Sequence, residues 1–270
     1  MRQRWADYRV FWRQFRDAYN STGAVLPSGR ALARALSRYV RERGEAHVAE
    51  SLPSQIRPGD DSDSAVSEKR PYVTRRILEV GPGTGAVTAQ IIHDMRTGDR
   101  LELVERNDQF VAHLRDRIAT AEPFRSAADH ITLLHAPVEE LPDDQQYDLI
   151  ISGLPLNNFS VESVRGIMNK FRRLLATGGT LSFFEYVAVR GAKSLLSGRA
   201  ERERLTGISR LFREVLTTNE VRRDLVMANV TPAWVHHVRF AARSHPQGTR
   251  QGAGSTTSGS QLRAPSSPLL

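Results

Sequence analysis

The sequence predicts an α/β protein built around a mainly parallel sheet. From residue 72 onward, short apolar runs of strand length alternate with segments of helical periodicity, and a glycine-rich turn joins the first strand to the helix after it. This alternation is typical of parallel strands linked by crossover helices. A chain of 270 residues, 40% of them hydrophobic, is long enough to bury such a core.

The periodicity divides this region into strands and helices. Strands are predicted over residues 76–80, 101–105, 131–134, 147–152, 180–187, 221–228 and 234–240. Helices are predicted over residues 86–95, 108–120, 161–175 and 192–216. The pair Gly178 and Gly179 is expected to turn the chain into the fifth strand.

Two amphipathic helices are predicted ahead of this region. The first carries aromatic residues on one face, at spacings of three and four: Trp5, Tyr8, Trp12, Phe15 and Tyr19. The apolar stripe of the second comprises Leu32, Leu36, Tyr39 and Val40. We expect the aromatic face to contact a membrane interface or, alternatively, to pack on the α/β core as a lid.

The composition divides the chain into four segments. Residues 1–51 hold the amphipathic helices, and residues 52–71, rich in Pro, Ser and Asp, are predicted to form a flexible insertion. Residues 72–240 form the α/β domain. Residues 241–270, rich in Ser, Gly, Gln and Pro, are predicted to be a disordered tail.

Charge is concentrated near the amino terminus. The net charge is +8, and residues 1–43 carry ten arginines against three acids, which is +7. Such a segment attracts nucleic acid or an anionic membrane surface, or is a solvated basic face without a partner. The absence of cysteine excludes disulfides and thiolate zinc sites. No apolar run approaches the roughly 20 residues of a membrane span, so a cytoplasmic location is expected.

The most specific motif follows the first predicted strand. Glu79-Val80-Gly81-Pro82-Gly83-Thr84-Gly85 has the spacing G-x-G-x-G, with an acid two positions before the first glycine. Glycines allow unusual φ angles and a close approach of backbone to a ligand, and the next helix offers unpaired N–H groups. Glu105, at the end of the second strand, is placed to accept hydrogen bonds from ribose hydroxyls. The pattern therefore predicts a nucleotide site at the carboxyl edge of the sheet.

At these residues the chain resembles class I S-adenosylmethionine-dependent methyltransferases. The resemblance implies a Rossmann-like sheet of seven strands, mostly parallel, with helices on both faces and a reversed final hairpin. It also implies S-adenosylmethionine as cofactor and no metal. Glu79 is then near the methionine amino end, and Glu105 holds the ribose. The cofactor contacts predicted on this basis are Glu79, Gly81, Gly83, Thr84, Gly85, Glu105, Arg106, Ser152, Gly153 and Leu154.

The segment after the fourth strand bears on the substrate. Residues 152–159 read S-G-L-P-L-N-N-F, and Gly153 and Leu156 stand where methyltransferases acting on adenine or glutamine nitrogen carry a polar and an aromatic side chain. This argues against the ribosomal RNA adenine dimethyltransferases. Segments 152–156, 23–30 and 229–233 instead resemble bacterial phospholipid N-methyltransferases and aminolipid (ornithine lipid) N-methyltransferases.

We therefore expect methyl transfer from S-adenosylmethionine to the amino headgroup of phosphatidylethanolamine or an ornithine lipid. The protein is expected to associate peripherally with the anionic surface of the inner face of the membrane. An RNA adenine N-methyltransferase and a non-catalytic membrane-surface module are the alternatives. The candidate catalytic residues are Tyr19, Asn157, Tyr186 and His237. The candidate substrate contacts are Arg30, Arg190 and His236. For the adjacent histidines, strand alternation predicts that one side chain points inward and the other outward.

Overall fold

The computed structural model describes residues 27–42, 73–187, 198–228 and 232–241. The predicted aromatic helix, the insertion at 52–71 and the tail after residue 241 lie outside these ranges. So do Tyr19, Arg190 and the first part of the predicted helix at 192–216.

The described residues form one seven-stranded sheet. Its strands are β1 (Arg76–Val80), β2 (Arg100–Glu105), β3 (Ile131–His135), β4 (Tyr147–Ser152), β5 (Leu175–Tyr186), β6 (Glu220–Val226) and β7 (Ala233–Val238). The strand order is β3-β2-β1-β4-β5-β7-β6, with β7 antiparallel to both of its neighbours. This confirms the predicted fold class and its reversed final hairpin.

Helices cover both faces of the sheet. They are α1 (Pro27–Leu36), α2 (Arg38–Arg41), α3 (Ala86–Asp94), α4 (Asp108–Thr120), α5 (Val161–Leu174) and α6 (Arg199–Asn219). Phe171 of α5 and Phe212 of α6 pack with Phe183 in one core cluster, while Leu36 and Ile91 pack in another. Burial on both faces explains why the central strands are almost continuously apolar.

The start of β5 differs from the prediction. The strand begins at Leu175, not at residue 180, and the two glycines lie inside it. Its register against β4 shifts where Tyr147 pairs with Leu175 but Leu149 pairs with Thr180, and Gly178 has a φ of +75°. The glycines therefore form a bulge within a strand, because pairing with β4 holds both sides of the kink in the sheet.

The described part of the amino-terminal segment packs on the sheet. Leu36 and Val40 are each 1% exposed. Arg38 Nε lies 2.7 Å from Asp224 Oδ2 on β6, and Ser37 donates a hydrogen bond to Asp94 at the end of α3. Residues 27–42 therefore belong to the same folded unit as the α/β domain. Among the described helices, none combines the length and the apolar character needed to cross a bilayer.

Candidate functional site

Two glycine turns meet at the carboxyl edge of β1 and β4. In the first turn Gly81, Gly83 and Gly85 have φ angles of +70°, +57° and +81°, which non-glycine residues rarely adopt. In the second turn the Gly153 N–H donates to Val80 O at 2.9 Å, and a Cβ on Gly153 would lie 2.6 Å from Gly81 O. The turns thus touch backbone to backbone, in the hollow where ligands bind in open α/β sheets.

Glu79 is a buried carboxylate without a hydrogen-bond partner. It is 0% exposed, and neither of its oxygens is hydrogen-bonded among the described residues. Burial raises its pKa to about 8; the nearby Thr88 hydroxyl opposes this rise without reaching hydrogen-bond geometry, and the charge of Glu105 adds to it. A buried acid of this kind is matched to a ligand that brings its own positive charge and N–H donors.

Glu105 joins the glycine turn after β1 to the backbone that follows β2. Its Oε2 accepts from Gly83 N at 3.1 Å, and its Oε1 accepts from the N–H groups of Arg106 and Asn107, each at 2.8 Å. Burial raises its pKa, and these three N–H groups act in the opposite direction. Because a carboxylate has about four acceptor positions, Glu105 can take a further donor, such as a ribose hydroxyl.

One residue that stabilises the glycine turn after β1 is not predicted from the sequence. Arg117 on α4 donates from Nη1 to Thr84 O at 2.6 Å, and its guanidinium lies 4.0 Å from the centre of the Phe124 ring. A Cβ on Gly85 would lie 2.8 Å from Phe124 Cζ. Arg117 is one arginine among many on a helix pattern, so nothing in the sequence distinguishes it.

A second missed residue holds the segment after β4. Asn157 is buried in the 3₁₀ helix Leu156–Asn158, and Ser152 Oγ accepts from Leu154 N at 3.3 Å. Arg204 on α6 donates from Nη1 to the backbone carbonyls of Asn157 at 2.8 Å and Phe159 at 2.6 Å. The segment is therefore fixed by a residue 47 positions away in sequence.

Replacing Arg204 with alanine is expected to loosen this segment. Two charge-assisted hydrogen bonds are lost, each worth about 1.5–3 kcal/mol, so amide hydrogen exchange at residues 154–159 should accelerate at least about 10-fold. Affinity for S-adenosylhomocysteine should be retained, because the β1 turn is untouched. Arg202→Ala, at an exposed position on the same helix, is the control. Unchanged exchange in Arg204→Ala would contradict this role.

The prediction for the adjacent histidines is wrong in one respect: both side chains point inward. His236 is 3% and His237 is 0% exposed, because α6 covers one face of β7 and the α1–α2 segment covers the other. His237 Nδ1 is 2.8 Å from Ser182 Oγ, and its Nε2 is 3.3 Å from Asp224 Oδ2. Both ring nitrogens of His237 are therefore engaged within the protein, and its catalytic role stays a prediction.

The burial of His237 has a measurable consequence. Burial lowers its pKa to about 4, and the hydrogen bond that the ring donates to Asp224 offsets only part of this. Between the unfolded pKa near 6.5 and about 4 the unfolded chain binds the proton and the folded protein does not, so the free energy of unfolding falls as pH falls. The loss amounts to about 3 kcal/mol. Urea unfolding at pH values from 7 to 4 should show this fall in the free energy of unfolding. In His237→Gln the free energy of unfolding should depend less steeply on pH. An equal pH dependence in the variant and wild type would contradict the assignment.

The remaining predicted residues are placed as follows. Tyr186 ends β5, its ring centroid lies 5.0 Å from that of Phe184, and burial raises its pKa, so the phenol stays protonated at neutral pH. Arg30 is exposed on the first turn of α1. Leu154 packs its side chain against Gly81. The catalytic and substrate-contact roles of these residues stay predictions.

Comparison with known proteins identifies the domain. Residues 77–179 match the family model of a methyltransferase domain. Over these residues the chain is similar to a methyltransferase domain. The crystal structure of the O-methyltransferase TomG from Streptomyces achromogenes, in complex with SAM, superposes with a TM-score of 0.51 at 14% identity and covers 82% of this chain and 86% of its own. This shows that the two proteins share the same fold.

Two curated relatives are similar in sequence to part of this chain. The ornithine lipid N-methyltransferase of Singulisphaera acidiphila is 29% identical over 108 residues, which is 40% of this chain and 56% of that protein. The highly reducing polyketide synthase NEC1 of Pyricularia oryzae is 29% identical over 120 residues, 41% of this chain and 4% of that one. The matched stretch is therefore little more than half of the first relative and a small part of the second.

The residues around the turn fit S-adenosylmethionine. The Glu79 carboxyl is able to receive the α-ammonium of the cofactor. Gly81, Gly83 and Gly85 carry no Cβ that would obstruct the cofactor. Glu105 can accept a hydrogen bond from a ribose hydroxyl. The cofactor supplies a methyl group on a sulfonium. Across the described ranges, no three His, Asp or Glu side chains converge in a metal-binding cluster. The chain's own task is to position an acceptor lone pair beside the β4 segment.

Proposed function

We propose that this protein transfers a methyl group from S-adenosylmethionine to the amine of an aminolipid headgroup, phosphatidylethanolamine or an ornithine lipid, at an anionic membrane surface. The match to an ornithine lipid N-methyltransferase supports the chemistry. The observation on which the membrane part depends is an apolar and basic rim at the same edge of the sheet as the candidate site. We define the rim as Val187, Leu225 and Met227 together with Arg30 and Arg34.

The apolar part of the rim lies at the same edge of the sheet as the glycine turns. β5 and β6 run parallel to β1 and β4, so residues at their carboxyl ends share that edge. Val187 follows β5 and is 39% exposed, Leu225 is near the end of β6 and is 45% exposed, and Met227 follows β6 and is 66% exposed. Exposed apolar side chains next to a site favour an interface with an apolar partner.

Arginines flank these side chains. Arg30 and Arg34 are four residues apart on α1, and both are exposed. Arg34, Leu225 and Met227 line one groove between α1 and β6. Each arginine near an anionic lipid surface contributes about 1 kcal/mol, and the apolar side chains add burial in the headgroup region. The rim thus suits a membrane surface that presents headgroups to the β4 segment.

The acceptor chemistry is consistent with an aliphatic amine. Residues 152–156 supply buried Leu154 and Leu156 and no aromatic ring to stack on a base. An aliphatic ammonium has a pKa near 10, so it must lose a proton before its lone pair attacks the methyl carbon. Water is the available proton acceptor, and the side-chain oxygen of Asn157 can accept a hydrogen bond from the amine. The proton leaves the amine, the nitrogen–carbon bond forms, and the sulfur–carbon bond breaks in line.

The proposal is tested with purified protein and methyl-labelled S-adenosylmethionine. Anionic vesicles containing phosphatidylethanolamine, vesicles containing ornithine lipid, and total RNA are the three acceptors. We expect label in at least one lipid. Label in RNA alone would replace the proposal with an RNA methyltransferase. Label in no acceptor, together with no binding of S-adenosylhomocysteine, would favour the non-catalytic module.

The rim itself is tested by introducing a negative charge into its apolar part. Met227→Glu and Leu225→Glu should each reduce sedimentation with anionic vesicles about 10-fold, because a charged side chain replaces an inserted apolar one. Affinity for S-adenosylhomocysteine should not change. Val73→Glu is the matched control, since Val73 is 78% exposed but precedes β1 at the opposite edge of the sheet. Equal loss in all three variants would remove the rim from the proposal.

A further inference from the structure

A cavity lies on the α6 side of the sheet. It has a volume of about 470 Å³ and lies between α6 and the strands β5, β7 and β6. Its polar and aromatic lining includes Glu185, Arg213, Glu220, Arg223, Trp234 and His236. None of residues 79–85 or 152–159, which the structure describes in full, lines it. The cavity is therefore separate from the cofactor turn and the β4 segment.

His236 has one nitrogen committed and one without a partner. Its Nδ1 is 2.6 Å from Glu220 Oε1, and because a carboxylate only accepts, Nδ1 carries the hydrogen. When the ring is neutral, Nε2 presents a lone pair. That atom is buried and has no hydrogen-bond partner among the described residues. A buried acceptor without a partner is satisfied by a donor from a ligand or a water.

Glu185 is the nearest acidic group to that lone pair. Its Oε2 is 3.7 Å from His236 Nε2, and Glu185 is 5% exposed. Two acceptors 3.7 Å apart can both receive N–H bonds from a single nitrogen at about 2.9 Å from each. A primary ammonium has three such donors and a charge that the carboxylate complements. This corner of the cavity is therefore suited to an ammonium group.

Positively charged side chains also line this cavity. Arg213 on α6 and Arg223 on β6 both line it, and the Arg223 guanidinium lies 4.6 Å from the centre of the Trp234 ring. Guanidinium groups bind phosphate and carboxylate through paired N–H donors. Two carboxylates and two guanidiniums in one lining complement a ligand that carries both charges.

We propose that this cavity binds a small zwitterion. Its primary ammonium is received by Glu185 and His236, and its phosphate or carboxylate is received by Arg213 and Arg223. The ligand is either a free aminophosphate or amino acid, or the headgroup of an aminolipid. This proposal does not depend on methyl transfer, because binding of a zwitterion in the cavity can be measured without that activity.

Binding is measured through Trp234, which lies in the cavity wall. The chain has three tryptophans, so Trp5→Phe and Trp12→Phe leave Trp234 as the only reporter. The protein is titrated with 2-aminoethyl phosphate, ornithine, glycerophosphoethanolamine and, as a probe without the amine, ethyl phosphate. We expect a saturable fluorescence change with an amine probe and at least about 10-fold weaker binding of ethyl phosphate. Binding of glycerophosphoethanolamine assigns the lipid headgroup as source, and binding of the free compounds alone assigns a soluble ligand.

Variants locate the binding site. Glu185→Gln and His236→Leu should each weaken amine binding at least about 10-fold. Glu203→Gln, the same chemical change at an exposed position on α6, should have no effect. Absence of a saturable signal with every amine probe at millimolar concentration would overturn the proposal. So would equal affinity for ethyl phosphate, or unchanged affinity in folded Glu185→Gln. Label transfer to lipid is scored separately, so failure here leaves the proposed function intact.

Discussion

Replacing Glu79 with glutamine is expected to stabilise the ligand-free protein at pH 8 while weakening cofactor binding. Burial without a hydrogen bond raises the pKa of Glu79 to about 8 from an ordinary value of 4.5. Between these values the folded protein holds a proton that the unfolded chain releases, so the free energy of unfolding falls as pH rises. From pH 5 to pH 8 the loss is about 4 kcal/mol.

Glutamine stays neutral over this range and removes the pH dependence. Urea unfolding of wild type and Glu79→Gln at pH 5 and pH 8 should therefore show a stability difference that shifts in favour of the variant by about 4 kcal/mol at the higher pH. The pH 5 measurement is the internal control, because both side chains are neutral there. A difference that is the same at both pH values would show that Glu79 is ionised in the folded protein.

The same substitution should weaken binding of S-adenosylhomocysteine. A charge-assisted hydrogen bond to the α-ammonium is worth about 1.5–3 kcal/mol, which corresponds to about 10- to 150-fold in affinity. In wild type, binding at pH 7 should also release about one proton, because the ammonium favours the ionised carboxylate. Calorimetry in phosphate and in Tris measures that release. Glu79→Gln should release none, and a release equal to wild type would contradict the assignment of Glu79 to the ammonium.

Replacing Gly153 with alanine is expected to weaken cofactor binding about 100-fold. A Cβ at this position would lie 2.6 Å from Gly81 O, a backbone atom that cannot rotate away. The two turns must separate, and the nucleotide turn must move with them. Overpacking of this kind costs about 1–3 kcal/mol of stability, and a shift of about 1 Å at a binding site reduces function about 100-fold. Gly153 is not among the glycines with positive φ, so the effect is one of contact and not of backbone strain.

Gly198→Ala is the matched control. A Cβ at Gly198 would meet nothing within 4 Å, so this variant should bind S-adenosylhomocysteine like wild type. Calorimetric titration of both variants, with thermal unfolding to confirm that each is folded, makes the comparison. If Gly153→Ala binds within about twofold of wild type, the close approach of the two turns is not needed to form the site.

Much of the fold could be predicted because its determinants are local. β1, α4 and β4 begin and end as their patterns predict. The start of α4 is explained by Asn107, whose side chain accepts from the N–H groups of Gln109 and Phe110. β5 was placed five residues late because a pair of glycines usually ends a strand. Only pairing with β4, a contact distant in sequence, keeps residues 175–179 in the sheet.

The sequence by itself determined where the chain needs positive φ, which segments alternate, and that acids stand at the ends of β1 and β2. These follow from backbone preferences and periodicity within a few residues. Tertiary structure alone decided that Glu79 has no hydrogen-bond partner among the described residues, that Gly153 touches Gly81, that Arg204 holds the β4 segment, and that both histidines of β7 are buried. Each depends on groups brought together by crossover connections, and the distances and solvent exposure that set their chemistry exist only after the sheet is assembled.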